Sequence, residues 1–157
     1  MKKNNKKYLF ILSFYFSSIF LSSYCLAEDV NNYLSLKNSK VNLRQGPSFE
    51  YPIKLIYNKK NLPVKIIDRS ETWRKIIDLE NNSGWIHISQ LSKKATAINI
   101  KINSIIYKRS TFYSTPIAKL EKGRLVLIKK CKIKWCKVST GNFKGWITKN
   151  SLWGKTN

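Results

Sequence analysis

From residue 41 onward the chain alternates apolar and polar residues in short runs, each ended by turn formers. Val41 and Leu43 alternate with Asn42 and Arg44, and Gln45-Gly46-Pro47-Ser48 then marks a turn. Ile53, Leu55 and Tyr57 alternate with Lys54 and Ile56 in a second run, and Val64–Asp68 makes a third. Trp73–Leu79 is a fourth, followed by Asn81-Asn82-Ser83-Gly84, the residue types that a tight hairpin turn requires. Trp85–Ile88 closes the set, and Ser89-Gln90-Leu91 suits one short helical turn. Side chains that repeat every second residue point alternately to two faces of a strand. The pattern therefore predicts five strands in about fifty residues, a small antiparallel barrel or sandwich. The polar, Asn-rich residues 28–40 read as a loose lead-in.

The pattern occurs twice. Tyr51-Pro52-Ile53 corresponds to Ser114-Thr115-Pro116-Ile117, Trp73-Arg74-Lys75-Ile76 to Trp135-Cys136-Lys137-Val138, Gly84-Trp85-Ile86 to Gly145-Trp146-Ile147, and Ser89-Gln90-Leu91 to Asn150-Ser151-Leu152, at offsets of 64, 62, 61 and 61 residues. Drift this small is what loop-length changes produce, so the chain is expected to hold two compact units rather than one larger sheet. Residues 93–104 lie between them, with Ile98, Ile100 and Ile102 at period two. We expect an extended inter-domain segment there that packs on one or both units; the alternative is that these isoleucines begin the second unit's first strand. Units this small bury a limited core and are marginal alone, which favours a packed tandem.

Composition adds an address and a charge. Apolar residues make up 43% and aromatics 13% of the 157 residues, enough for a packed β-rich core. Lys2, Lys3, Lys6 and Lys7 precede an apolar stretch from Tyr8 to Leu21, and Cys25-Leu26-Ala27 has small residues at −3 and −1. That is the layout of a signal peptide over residues 1–27, cut after Ala27, and it predicts a periplasmic or secreted body. An uncleaved anchor with its lysines inside gives the same side of the membrane. Residues 28–157 then carry 26 basic against eight acidic residues, a net charge of +18. Such a field favours anionic partners; the joint richness in Lys, Asn and Ile is also what an AT-rich coding bias produces. Nucleic acid suits the charge but not the address, so none is expected.

Beyond residue 27 the cysteines are Cys131 and Cys136, in CKIKWC. An even pair in an oxidising compartment, spaced to face each other across a short hairpin, points to a disulfide rather than free thiols. A zinc pair needs further ligands, and the sole histidine, His87, is in the other repeat. Glu50, Asp68, Glu71, Asp78, Glu80 and Glu121 are scattered over loops and strand ends. With no nucleophile–base set, metal motif or phosphate loop, neither catalysis nor a cofactor or metal is expected.

VNLRQGPSFEYP, the Trp73 strand and GWIHISQL together resemble the bacterial SH3-like (SH3b) family, and more narrowly the secreted tandem SH3-like proteins of alphaproteobacteria. The resemblance spans residues 35–153, as one domain over 35–92 and a second over 105–153. In the second copy Ile105-Ile106-Tyr107-Lys108 stands where VNLR stood, and Arg109-Ser110-Thr111 replaces Gln-Gly-Pro. The resemblance implies an all-β protein of two five-stranded SH3-like barrels in tandem. It also implies a non-catalytic module for cell-envelope ligands, peptidoglycan-derived or protein peptides. Polyproline recognition is not carried over, because His87 replaces the proline that follows glycine-aromatic-aliphatic in eukaryotic SH3 domains. A groove of that kind places Trp73 with Tyr51 and Tyr57 in the first unit and Trp135 with Tyr113 in the second, while Arg44, Arg74 and Lys75 attract a carboxylate or phosphate. For Trp73 and Trp135 a binding platform and a core plug stand level; for Trp85 and Trp146 the core is favoured. The runner-up function is a basic adaptor seated on anionic lipid or polysaccharide. Because Arg69 and Arg74 stand where the second copy has Cys131 and Cys136, the first unit is expected to read the ligand and the second to support it.

Overall fold

The structure, a computed structural model, describes residues 32–156; the signal-peptide expectation for residues 1–27 lies outside them. The first unit contains β1 (Tyr33–Leu36), β2 (Val41–Arg44), β3 (Ile53–Tyr57), β4 (Pro63–Ser70), β5 (Trp73–Ile77), β6 (Ser83–His87) and β7 (Leu91–Ser92). The second contains β8 (Thr96–Asn99), β9 (Ser104–Tyr107), β10 (Pro116–Leu120), β11 (Leu125–Cys131), β12 (Trp135–Thr140), β13 (Phe143–Thr148) and β14 (Leu152–Gly154). A single 3-10 turn precedes the last strand of each, Ile88–Gln90 and Lys149–Ser151. The protein is all-β, and its two antiparallel sheets share one strand order: β3-β2-β6-β5-β4-β1-β7 and β10-β9-β13-β12-β11-β8-β14.

Each sheet curls around one core. Leu36, Val41, Leu43, Tyr57, Val64, Ile66, Ile76, Ile86 and Leu91 form the first cluster, to which all seven strands contribute. Ala97, Ile106, Leu120, Val126, Cys136, Val138, Ile147 and Leu152 do the same in the second. A sheet whose every strand feeds one cluster must bend back on itself, which is the small-barrel solution to burying a single apolar face.

Three expectations change. The five expected strands are present, but each sheet has seven. Residues 28–40 are not all loose: Leu36 is fully buried and β1 pairs with both β4 and β7. The segment 93–104 is not an inter-domain strand, since Thr96–Asn99 pairs with β11 and β14 inside the second sheet. The alternative reading, that the isoleucine run begins the second unit's first strand, holds for Ile98; β1 escapes notice because it is four residues long in a polar lead-in. The units do touch. β4 lies against β8 and β14, and Tyr33 meets Trp153 edge-on with ring centroids 5.2 Å apart.

The duplication extends to irregularities. A bulge between β2 and β3 places Arg44 opposite Ile53 but Leu43 opposite Leu55; the second unit repeats it with Tyr107 opposite Pro116 and Ile106 opposite Ala118. A second bulge recurs between β4 and β5 and between β11 and β12. Bulges raise local twist and help a short sheet close. The glycine of each GWI strand has a steric cause. A Cβ on Gly84 would lie 2.6 Å from the Arg44 carbonyl oxygen, and one on Gly145 would lie 2.5 Å from that of Tyr107.

Candidate binding site

On β6 the inward side chain after the glycine is Ile86, and on β13 it is Ile147; Trp85 and Trp146 therefore point outward. Trp85 is only half-buried, which corrects its core assignment, whereas Trp146 is buried as expected, although outside the main cluster. Trp85 lies between Arg44 and Lys75 in register on the outer face. Trp146 is buried to 8% exposure with the Lys132 and Lys130 ammonium groups 5.0 and 5.8 Å from the ring centroid. Two lysines thus lie over its outer side in cation–π geometry.

Trp73 stands two residues before Lys75 and so shares that outer face. It is nonetheless only 6% exposed, because a second layer of aromatic groups covers it. Phe49, on the turn between β2 and β3, meets Trp73 with centroids 4.9 Å apart, and His87, its register partner on β6, meets it at 5.3 Å. Phe49 and His87 complete the triangle at 5.3 Å. The His87 Nδ1 pairs with the Ser89 hydroxyl at 2.8 Å, which fixes the ring plane. Arg44 sits 5.7 Å from the Phe49 centroid and donates to the Tyr51 carbonyl at 2.7 Å. The cluster joins a rigid buried indole to an exposed phenyl, since Phe49 is 66% exposed.

The second unit has the same arrangement. Trp135 is 9% exposed and is met by Phe112 at 4.8 Å and Tyr107 at 5.8 Å; Phe112 is itself 66% exposed. Tyr107 occupies the position of Arg44, and Thr148 that of His87. A cleft of about 620 Å³ opens beside this cluster, lined by Phe112, Ile133, Trp135, Thr148 and Asn150 among others.

Other expected site residues fall elsewhere. Tyr57 is in the first core, where its hydroxyl donates to Asp78 Oδ2 at 2.9 Å. Burial and Asp78 push its pKa far up, so it is a neutral structural group and not a groove wall. Tyr51 lies over Gly46 instead, where a Cβ would sit 2.6 Å from its ring. Tyr113 is fully exposed at 101% and it is its neighbour Phe112 that reaches Trp135. The Arg74 guanidinium donates to the carbonyls of Trp73 and Glu71 at 2.8 and 2.9 Å, bracing its own hairpin turn. Cys131 and Cys136 are register partners joined by a disulfide, with Arg69 and Arg74 paired at the matching positions.

Phe49, Phe112, Tyr107 and His87 are absent from the sequence-derived site. The signal was present but shifted by one residue. Matching Tyr51-Pro52-Ile53 at an offset of 64 sets Phe49 against Tyr113, whereas strand pairing gives 63 and sets Phe49 against Phe112.

Two closely similar seven-stranded barrels with matched bulges, each with an aromatic cluster on its outer face, define a tandem of small SH3-type modules. The bacterial SH3 domain family matches residues 37–93 and 105–154, and the chain belongs to that family. No curated protein matches the sequence. Among solved structures, NlpC2 from Trichomonas vaginalis is similar at 14% identity over 80% of this chain and 48% of that one, with a TM-score of 0.37. An NlpC/P60 family protein from Bacillus cereus is similar at 12% identity over 79% of this chain and 57% of that one, with a TM-score of 0.35. The chain thus spans about half the length of these proteins.

Proposed function

We propose that this protein is a non-catalytic binding module of the cell envelope, acting outside the cytoplasm, which recognises peptidoglycan-derived or protein peptides at its aromatic clusters. The observation that carries this reading is the duplication of one motif outside both cores: Phe49 over Trp73 and Phe112 over Trp135. These phenyl groups lie outside both core clusters: each covers its tryptophan yet leaves two-thirds of its own surface open to a ligand. An indole held edge-on beneath a phenyl offers a flat apolar surface with a polar rim, which suits peptide backbones and sugar faces. In the first unit Arg44 adds a cation beside the phenyl for a ligand carboxylate. The second unit has a cluster of its own with a cleft beside it, so both units are readers in this proposal.

Binding to purified cell-wall sacculi tests it. Phe49→Ala and Phe112→Ala are the informative variants, because exposed side chains can be removed without opening a core. We expect binding that persists at high ionic strength and falls about tenfold or more in the double variant, as for loss of an aromatic anchor. Binding that disappears with salt and ignores both changes would leave only a surface-charge effect. N-terminal sequencing of protein from an extracytoplasmic fraction tests the address, with Glu28 expected as the first residue.

A further inference from the structure

The two units have diverged at one end. The tip of the β4–β5 hairpin reads Ser70-Glu71-Thr72, and the matching β11–β12 tip reads Lys132-Ile133-Lys134. Glu50 of the first unit corresponds to Tyr113 of the second, and Ser39 to Ile102. At all three tips a polar or acidic residue has become a large apolar one, and the replacements are among the most exposed residues described: Ile102 at 75%, Ile133 at 92% and Tyr113 at 101%. They share one end of the barrel. Ile133 and Phe112 border one cleft, Phe112 and Ile102 border the next, and Lys132 reaches the Ser110 hydroxyl at 3.4 Å.

The charge has moved with them. Residues 32–95 hold 12 basic and five acidic residues, a net +7, whereas residues 96–157 hold 14 basic and one acidic, a net +13. Lys132, Lys134 and Arg109 stand at this end where the first unit has Ser70, Thr72 and Gly46. The single acid, Glu121, lines a pocket with Phe143 beside the β12–β13 turn, and its backbone carbonyl shares the Asn99 amide with that of Lys101. Exposed apolar tips flanked by lysine in a unit with a single acid fit a surface that is anionic outside and apolar a few ångströms deeper. An anionic polymer matches the lysines but has no use for Ile133, and a peptide groove has no use for Tyr113, which lines neither cleft.

We propose that this end of the second unit docks on an anionic phospholipid bilayer, with Ile102, Tyr113 and Ile133 entering the headgroup–acyl boundary and the flanking lysines pairing with lipid phosphates. Tyr is suited to that depth, with its ring in the apolar layer and its hydroxyl in the wet one. The proposal needs no cell-wall ligand, and of its three apolar side chains only Ile133 also lines the cleft beside Trp135.

Co-sedimentation of the full chain with vesicles tests it, comparing neutral phosphatidylcholine vesicles with ones containing about one-third phosphatidylglycerol by composition, a choice that brings in the lysine term of roughly fivefold per residue. We expect binding to the anionic vesicles only. Ile133→Asp should weaken it about tenfold or more, and Lys132→Gln with Lys134→Gln should do likewise, as removal of buried apolar area or of near-surface lysines dictates. Phe143→Ser, which removes an exposed apolar side chain at the far end, should bind as the unaltered protein does. Ile133 is 92% exposed, so its variant keeps the fold, and circular dichroism checks this. The proposal is overturned if anionic vesicles are not bound, if Ile133→Asp binds as well as the unaltered chain, or if Phe143→Ser loses as much. Full competition by dextran sulfate together with indifference to Ile133→Asp identifies an anionic polymer as the partner instead.

Discussion

Ser104 donates its hydroxyl hydrogen to Asn99 Oδ1 at 2.7 Å in the second barrel, at the two positions where the first barrel places Leu36 and Val41. Asn99 is fully buried and its amide also donates to the carbonyls of Lys101, Leu120 and Glu121. The exchange is reciprocal, because the first barrel's buried Tyr57–Asp78 hydrogen bond is matched by Leu120 and Thr140 in the second. Each unit keeps one satisfied polar pair within its barrel wall, but on a different set of strands. Asn99→Leu should cost about 1–3 kcal/mol, since it strands three carbonyls and a hydroxyl. Adding Ser104→Val should recover part of that loss, a non-additivity that a double-mutant cycle of urea midpoints measures.

Tyr57 makes the first unit sensitive to alkali. Its folded pKa is raised by burial first, then by the hydrogen bond and charge of Asp78 and by the charge of Glu80. An acid raised in the folded state contributes stability that is complete below its unfolded value and lost as pH climbs above it. Stability should therefore fall as pH rises through the ordinary tyrosine value of 10.0. Tyr33, also raised by burial, adds in the same direction. Tyr57→Phe should flatten the slope of melting temperature against pH in that range without abolishing it.

The two GWI glycines should be intolerant of even a methyl group. A Cβ at Gly84 or Gly145 meets a backbone carbonyl oxygen and a buried side chain, Leu43 in one case and Ile106 in the other. Gly84→Ala and Gly145→Ala should each cost about 1–3 kcal/mol, the usual range for overpacking. Lys144→Ala, next door and exposed, should stay within about 0.5 kcal/mol.

Reduction of Cys131–Cys136 should weaken the second unit and spare the first. The closed loop is short, so the chain-entropy contribution is about 2 kcal/mol. Cys136 is also fully buried within the second core cluster, so a Cys131→Ser, Cys136→Ser pair should cost more than reduction alone. Urea unfolding followed with and without reductant separates the two effects.

For the candidate binding clusters, Phe49→Ala and Tyr51→Ala should differ. Phe49 covers Trp73, whereas Tyr51 covers only the backbone at Gly46. Removing Phe49 should reduce affinity for envelope peptide and redden the tryptophan emission as Trp73 gains water. Removing Tyr51 should do neither, and an equal loss from both would move the site off this cluster.

The alternation of residues 41–91, the GWI repeats and the CKIKWC spacing were enough to determine two small β units, five strands of each and the disulfide. These are local properties: period two and turn chemistry are written in neighbouring residues, and a duplication is visible by comparing the chain with itself. Tertiary structure alone decided which aromatic side chains gather. Trp73, Phe49 and His87 come from three separate segments, and whether an outer-face indole is bare or covered depends on a loop whose length no alternation reports. A single bulge at β3 and β10 shifts the count by one, enough to exchange Tyr113 for Phe112. The strand β1 stayed hidden for a related reason: Leu36 becomes a core position only because β4 lies beside it, and the isoleucines at 98, 100 and 102 left open which unit β8 would join.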